Sequence, residues 1–193
     1  MRTFYKFAYI VMWPICALLY PMRREIRAPL PDGPAIVCAN HSSYIDPVLL
    51  ALAVGKQHWL HFMAKTELAA NRFVAALLTK LGAFFVDRSA SDLGAIRTSM
   101  KLLKSGEKVA IFPEGTRVAE GDSVAAKAGA IRLAMRLGVP IVPAYVTQNK
   151  KLFCRVDVVV GCAYTIAPDA DPYAQAERLL ERIYALAPGR HVL

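Results

Sequence analysis

Apolar residues along this chain follow two spacings. Unbroken or nearly unbroken runs occupy Ala35–Ala39, Trp59–Ala64, Ala83–Val86, Val109–Phe112, Val139–Val146 and Arg155–Val160. Short continuous runs of this kind predict strands buried on both faces. Between them, apolar residues recur at helical spacing near Val48–Val54, Glu67–Leu81, Leu93–Lys104 and Ala128–Leu137, and an amphipathic stretch from Pro172 to Leu186 follows the last strand. Gly82, Gly106 and Gly138 follow helical stretches, at the place where the left-handed turn that ends a helix favours glycine. Strands alternating with helices predict an α/β fold: a single domain with a largely parallel, mixed sheet flanked by helices. No repeat, low-complexity tract or linker divides it. In such sheets ligands gather beyond the carboxyl ends of strands, so polar clusters at strand ends are the places to search for chemistry.

One apolar run stands outside the alternation. Phe7 to Met22 carries no charge, and Arg2, Lys6, Arg23, Arg24 and Arg27 flank it. As a helix it would be about 24 Å long, short of the roughly 30 Å hydrocarbon core of a bilayer. Pro14 interrupts it, and cations at both ends give no orientation across a membrane. Tyr9, Trp13 and Tyr20 are aromatics of the kind that settle at headgroup depth. Arg23-Arg24 follows where a signal peptide would carry small residues. Residues 1–28 are therefore expected to form a membrane-associated helix in one leaflet on the cytosolic face, with the α/β domain over 29–193.

Composition narrows the partners. At 193 residues the chain holds one domain plus one extra element. It is 55% hydrophobic with a net charge of +9, a combination that suits an anionic membrane surface. The lysines and arginines are scattered and form no recognition motif, so nucleic acid is not expected as a partner. Cys16, Cys38, Cys154 and Cys162 contain no C-x-x-C pair and no histidine at zinc-ligand spacing. They predict no metal site, and read as small core residues of a reducing compartment.

Three strand ends carry chemistry-bearing residues. Ala35–Ala39 runs into Asn40-His41-Ser42-Ser43-Tyr44-Ile45-Asp46-Pro47. Pro47 suits the first turn of a helix, which makes Asp46 a natural N-cap and leaves His41 on the loop before it. A compact loop of this length can bring a carboxylate to an imidazole nitrogen, giving a general base with a fixed tautomer. Taken alone, the same residues also fit a helix cap beside a surface histidine. Ala83–Val86 ends in Asp87-Arg88, where Arg88 offers a planar cation to phosphate oxygens or pairs with Asp87. Val109–Phe112 runs into Pro113-Glu114-Gly115-Thr116-Arg117, an acceptor, a flexible backbone, a hydroxyl and a cation, with Lys127 and Gly129 soon after. Val139-Pro-Ile-Val-Pro143-Ala reads as wall. A basic stretch, Lys150-Lys151 with Arg155, could meet an acidic substrate.

The four segments NHSSYID, GAFFVDR, FPEGTR and VPIVPA, in this order from about Asn40 to Ala144, resemble the four blocks of the glycerolipid acyltransferase family, in particular its 1-acylglycerol-3-phosphate acyltransferases. Val118 departs from the serine that many members carry after the arginine. The resemblance implies that His41 deprotonates the acceptor hydroxyl as it attacks an acyl thioester, with Asp46 orienting and charge-balancing His41. It implies that Glu114, Gly115, Thr116 and Arg117 bind the glycerol phosphate, with Arg88 a second contact. The expected reaction joins a fatty acyl group to a lysophospholipid, giving phosphatidic acid. The donor is either acyl-CoA or acyl carrier protein, and no cofactor is expected because the thioester carries the activation. Another lysolipid acceptor, or hydrolysis with water in place of the alcohol, would use the same dyad.

Overall fold

The computed structural model describes residues 2–86, 93–119, 121–122 and 124–189. Seven strands form a single sheet: β1 (Met22–Ile26), β2 (Ala35–Ala39), β3 (Leu60–Lys65), β4 (Ala83–Val86), β5 (Lys108–Ile111), β6 (Ile141–Val146) and β7 (Val156–Val160), in the order β1-β7-β6-β2-β5-β3-β4. Strands β2 to β6 run parallel, and β7 turns back antiparallel on β6 with β1 beside it. The helices are α1 (Arg2–Leu19), α2 (Asp46–Val54), α3 (Arg72–Lys80), α4 (Leu93–Lys104), α5 (Gly129–Leu137) and α6 (Pro172–Tyr184).

Central strand β2 explains the layers. All five of its residues are buried, because alternate side chains enter different cores. Ala35, Val37 and Ala39 pack with Leu49, Leu50, Ala53 and Val54 of α2. Ile36 and Cys38 pack on the other face with Ile131 and Ala134 of α5 and Leu179 and Ile183 of α6. α1 lies outside α2: Tyr5 and Cys16 are buried, and the Tyr9 hydroxyl donates to the Leu52 carbonyl at 3.0 Å. The buried thiols are Cys16 and Cys38, whereas Cys154 and Cys162 are exposed.

The sequence expectations need three local corrections. The stretch near Glu67–Leu81 is two elements, a 3-10 turn at Thr66–Ala69 and then α3. Asn71 divides them by accepting from the backbone N–H of Phe73 and Val74, an N-cap that starts a fresh helix. The N-terminal helix ends at Leu19, before Pro21, and Met22–Ile26 becomes an edge strand paired with β7. That strand is hidden in sequence because Arg23, Arg24 and Glu25 fill its centre with charge, which suits an edge strand. Cys154 and Cys162, expected in the core, are exposed, and Tyr9 stacks on Trp13 as well as bonding Leu52. Among the described residues, no helix is long and apolar enough to cross a membrane.

Candidate active site

Adjacent parallel strands β2 and β5 deliver the first and third clusters to the same end of the sheet. Asn40, fully buried, leaves β2 and continues its ladder with side-chain groups. Its amide donates to the Val146 carbonyl and accepts from the Val146 N–H, each at 2.8 Å, as a backbone residue would. This fixes where the His41 loop begins and ties it to the end of β6.

The third cluster then takes both backbone groups of His41. The Glu114 carboxylate accepts the His41 N–H at 2.7 Å, and Val118 N–H donates to the His41 carbonyl at 2.8 Å. The imidazole stacks on Phe112, with ring centroids 4.2 Å apart and planes at 19°. Val118, the departure from the family pattern, is buried and serves through its backbone.

Asp46 is fully buried, and its carboxylate is the hub of the loop. Its Oδ2 lies 3.0 Å from His41 Nδ1 and accepts the N–H groups of Ser42 and Ser43 at 2.7 Å each. Its Oδ1 meets the ammonium of Lys150 at 2.6 Å, an ionic contact without an aligned hydrogen bond. The expected N-cap role for Asp46 is corrected: Ile45 holds the cap position without a side-chain bond, and Asp46 is already helical. The loop before it competes successfully for the carboxylate, because two backbone donors, an imidazole and a cation outweigh one helix-end N–H. Burial alone would raise the Asp46 carboxyl, but His41, Lys150 and the loop N–H groups together hold it below the ordinary aspartate value.

Glu114 is also buried, and its second oxygen accepts the Tyr184 hydroxyl from the end of α6. Burial pushes this carboxyl up, partly offset by Tyr184 and the His41 N–H. Gly115 turns with φ +68°, and a Cβ there would meet the Lys127 stem at 2.5 Å. Thr116 and Arg117 are exposed, and the Arg117 guanidinium lies 3.7 Å from the ring centre of Tyr44, an exposed residue of the His41 loop. The structure therefore brings His41, Asp46, Glu114, Gly115, Thr116 and Arg117 to one end of the sheet. Arg88 lies outside the described residues.

Sequence reasoning missed Lys150 and Tyr184. Lys150 was grouped with Lys151 and Arg155 as a surface basic stretch. Its side chain is instead buried on Asp46, while Arg155, which pairs with Asp157 at 2.9 Å, and Lys151 are exposed. Nothing near Lys150 in the chain signals burial, since Ser42 and Asp46, the side chains it meets, are more than a hundred residues away.

A family model described as Acyltransferase matches residues 22–147 of this chain, from β1 to the end of β6. The 1-acyl-sn-glycerol-3-phosphate acyltransferase of Bacillus subtilis is 36% identical over 153 residues, covering 77% of this chain and 75% of that protein. The probable 1-acyl-sn-glycerol-3-phosphate acyltransferase of Mycoplasma genitalium is 34% identical over 125 residues, 62% of this chain but only 46% of that longer protein. The crystal structure of the 1-acyl-sn-glycerophosphate acyltransferase PlsC from Thermotoga maritima superposes with a TM-score of 0.67 at 22% identity, covering 100% of this chain and 80% of that one, so the two share a fold. The chain therefore belongs to the acyltransferase family, as an O-acyltransferase among relatives named for transfer to 1-acyl-sn-glycerol-3-phosphate.

Proposed function

We propose that this enzyme transfers a fatty acyl group from a thioester, acyl-CoA or acyl carrier protein, to the free hydroxyl of 1-acylglycerol-3-phosphate, giving phosphatidic acid. The observation that carries the reading is the 3.0 Å contact between His41 Nδ1 and Asp46 Oδ2, on the strand end beside Arg117. With Nδ1–H committed to the carboxylate, Nε2 is the basic nitrogen for the acceptor. It takes the hydroxyl proton as the oxygen attacks the thioester carbonyl. The tetrahedral intermediate collapses with cleavage of the C–S bond, and the imidazolium returns its proton to the departing thiolate. A positioned base of this kind contributes about 10²–10⁴-fold. The thioester supplies the driving force, so the reaction as proposed uses no cofactor or metal.

Arg117, exposed and planar, is the proposed contact for the acceptor phosphate, with Thr116 and the Gly115 backbone beside it and Arg88 as a second cation. Glu114 serves the same site from behind, since its oxygens are engaged by His41 and Tyr184.

The membrane surface is the proposed partner that presents the lysophospholipid, met from the cytosolic side. Two helices support this by turning apolar side chains outward: Phe7, Ile10 and Leu18 on α1, and Phe73 and Leu77 on α3. Lys80 of α3 sits over the Phe4 ring of α1, so the two helices meet at that point. Exposed apolar surface marks a membrane or protein contact, and nearby cations favour anionic lipid.

The test of the chemistry is His41→Ala, assayed for transfer from a radiolabelled thioester to 1-acylglycerol-3-phosphate. Transfer should be lost in a variant whose circular dichroism matches the wild type. Near-normal turnover would rule out the mechanism. Release of free fatty acid in place of phosphatidic acid by the wild type would identify a hydrolase instead.

A further inference from the structure

Lys150 lies on the 147–155 connection between β6 and β7, just beyond the segment matched by the family model. Its side chain is only 2% exposed. The ammonium donates to Ser42 Oγ at 2.8 Å and to the Thr147 carbonyl at 2.5 Å, and it pairs with Asp46 Oδ1 at 2.6 Å. The connection is shaped to place it there. Asn149 adopts φ 47°, a left-handed turn that asparagine tolerates better than most residues. Thr147 is clamped on Asp157 through both its backbone N–H and its hydroxyl, which closes the hairpin at its base.

Burying an ammonium has a desolvation cost of several kcal/mol, so its placement against a carboxylate already serving an imidazole calls for a physical account. The two oxygens of Asp46 divide the work. Oδ2 is held by two backbone N–H groups and faces His41, while Oδ1 faces Lys150. The lysine thereby fixes the plane of the carboxylate and its aim at Nδ1. Its charge also opposes a second positive charge on the far side of the same carboxylate. An imidazole paired to an isolated, buried aspartate would hold a proton tightly and serve poorly as a base near neutral pH. Sharing the aspartate with a permanent cation counters that.

We infer that Lys150 is a positioning residue of the proposed dyad, which orients Asp46 and sets a fixed cation against a second positive charge on the far side of the same carboxylate. This rests on the general-base reading of His41. Among the described residues, the charged and titratable groups around that imidazole are Asp46 from the head of α2, Lys150 from the β6–β7 connection, and Glu114 with Arg117 from the loop after β5, and Tyr184 of α6 stands behind Glu114. Of these, only Lys150 is a buried cation on the carboxylate that the imidazole uses.

The test measures kcat/KM against pH for the full chain, with 1-acylglycerol-3-phosphate in detergent and a long-chain thioester of either CoA or acyl carrier protein. Lys150→Gln removes the charge while still able to donate to Thr147 and Ser42, and Lys150→Met removes the charge and the donors. Both should move the acid limb of the profile to higher pH by about one unit, the effect of one opposite or like charge at this range. Activity lost at neutral pH should return in part at alkaline pH. The Michaelis constant for the acceptor should stay near the wild-type value, and Lys104→Met, at an exposed lysine of α4, should leave the profile unchanged. Lys150→Arg, which keeps a charge, should shift the limb less than Lys150→Gln. If Lys150→Met fails to fold, the limb of Lys150→Gln decides. A folded variant with reduced activity but an unshifted limb would show that the lysine only braces the loop, and would overturn the inference. Full activity in His41→Ala would instead remove the general-base reading on which it stands.

Discussion

Asp46→Asn separates the structural and chemical parts of this site, because the amide has nearly the shape of the carboxylate. In one orientation the amide oxygen still accepts from Ser42 and Ser43 and faces His41, but its NH₂ then points at the Lys150 ammonium, donor against donor. In the flipped orientation the NH₂ faces two backbone N–H groups and the imidazole Nδ1. Neither satisfies the site, and both leave a buried ammonium without its counter-charge. Breaking one side of a buried pair costs about 3–5 kcal/mol. For a chain of this length each kcal/mol lowers Tm by roughly 2–4 °C, so the variant should melt about 6–20 °C below the wild type. The gap should depend on pH in one direction. The Asp46 carboxyl is held below its ordinary value in the fold, so its stabilisation is present above the unfolded aspartate value of about 3.9 and disappears as pH falls through the lower folded value. The two proteins should therefore converge in stability in strong acid. Activity, measured well below the variant's Tm, should fall by about 10²–10⁴-fold because the imidazolium loses its support. Thermal unfolding by circular dichroism and a single-turnover transfer assay read the two effects separately. An Asn variant that melts with the wild type, or retains its kcat/KM, would refute the hub role of Asp46.

Further outcomes follow from single features. Arg117→Lys should raise the Michaelis constant for 1-acylglycerol-3-phosphate about tenfold, the loss of one charge-assisted hydrogen bond of about 1.5 kcal/mol; equal weakening with a phosphate-free monoacylglycerol would show that Arg117 does not read phosphate. Serines at Phe7, Ile10 and Leu18, all exposed, should reduce vesicle binding by roughly tenfold or more while sparing turnover in detergent, since each apolar side chain contributes about 1.5–3 kcal/mol when buried. Deleting the helix is a poorer probe, because Tyr5 and Cys16 of α1 are buried against the domain. Gly82→Ala should destabilise the fold by about 1–3 kcal/mol, because φ is +102° and the new Cβ would lie 2.6 Å from the Leu60 carbonyl, a backbone atom in β3. Gly106→Ala, with φ +84° but nothing within 4 Å, should cost less, and equal Tm losses for the two would refute the steric argument.

What the sequence determined by itself is whatever short-range chemistry dictates. Continuous apolar runs placed Ala35–Ala39 as a strand with its observed ends and Ala83–Val86 as a strand, and helical spacing placed a helix that ends at Lys104. The His41–Asp46 pair was legible through the resemblance that NHSSYID carries with the other three blocks, because the short loop and Pro47 alone also fit a helix cap beside a surface histidine. Tertiary structure decided what depends on strand order. Residues 22–26 look like the charged tail of a hydrophobic helix until β7 offers an edge to pair with. Asp46 looks like a helix cap until Ser42, Ser43, His41 and Lys150 surround its carboxylate. Glu114 reads as a ligand contact until Tyr184, 70 residues on, reaches its free oxygen. Lys150 reads as surface charge until the β6–β7 connection folds over the end of β2. Placing β6 beside β2 and β5 on its other side is a choice among topologies, made by the packing of two cores on either face of the sheet. No local pattern encodes that choice, and the charges behind the His41–Asp46 pair depend on it.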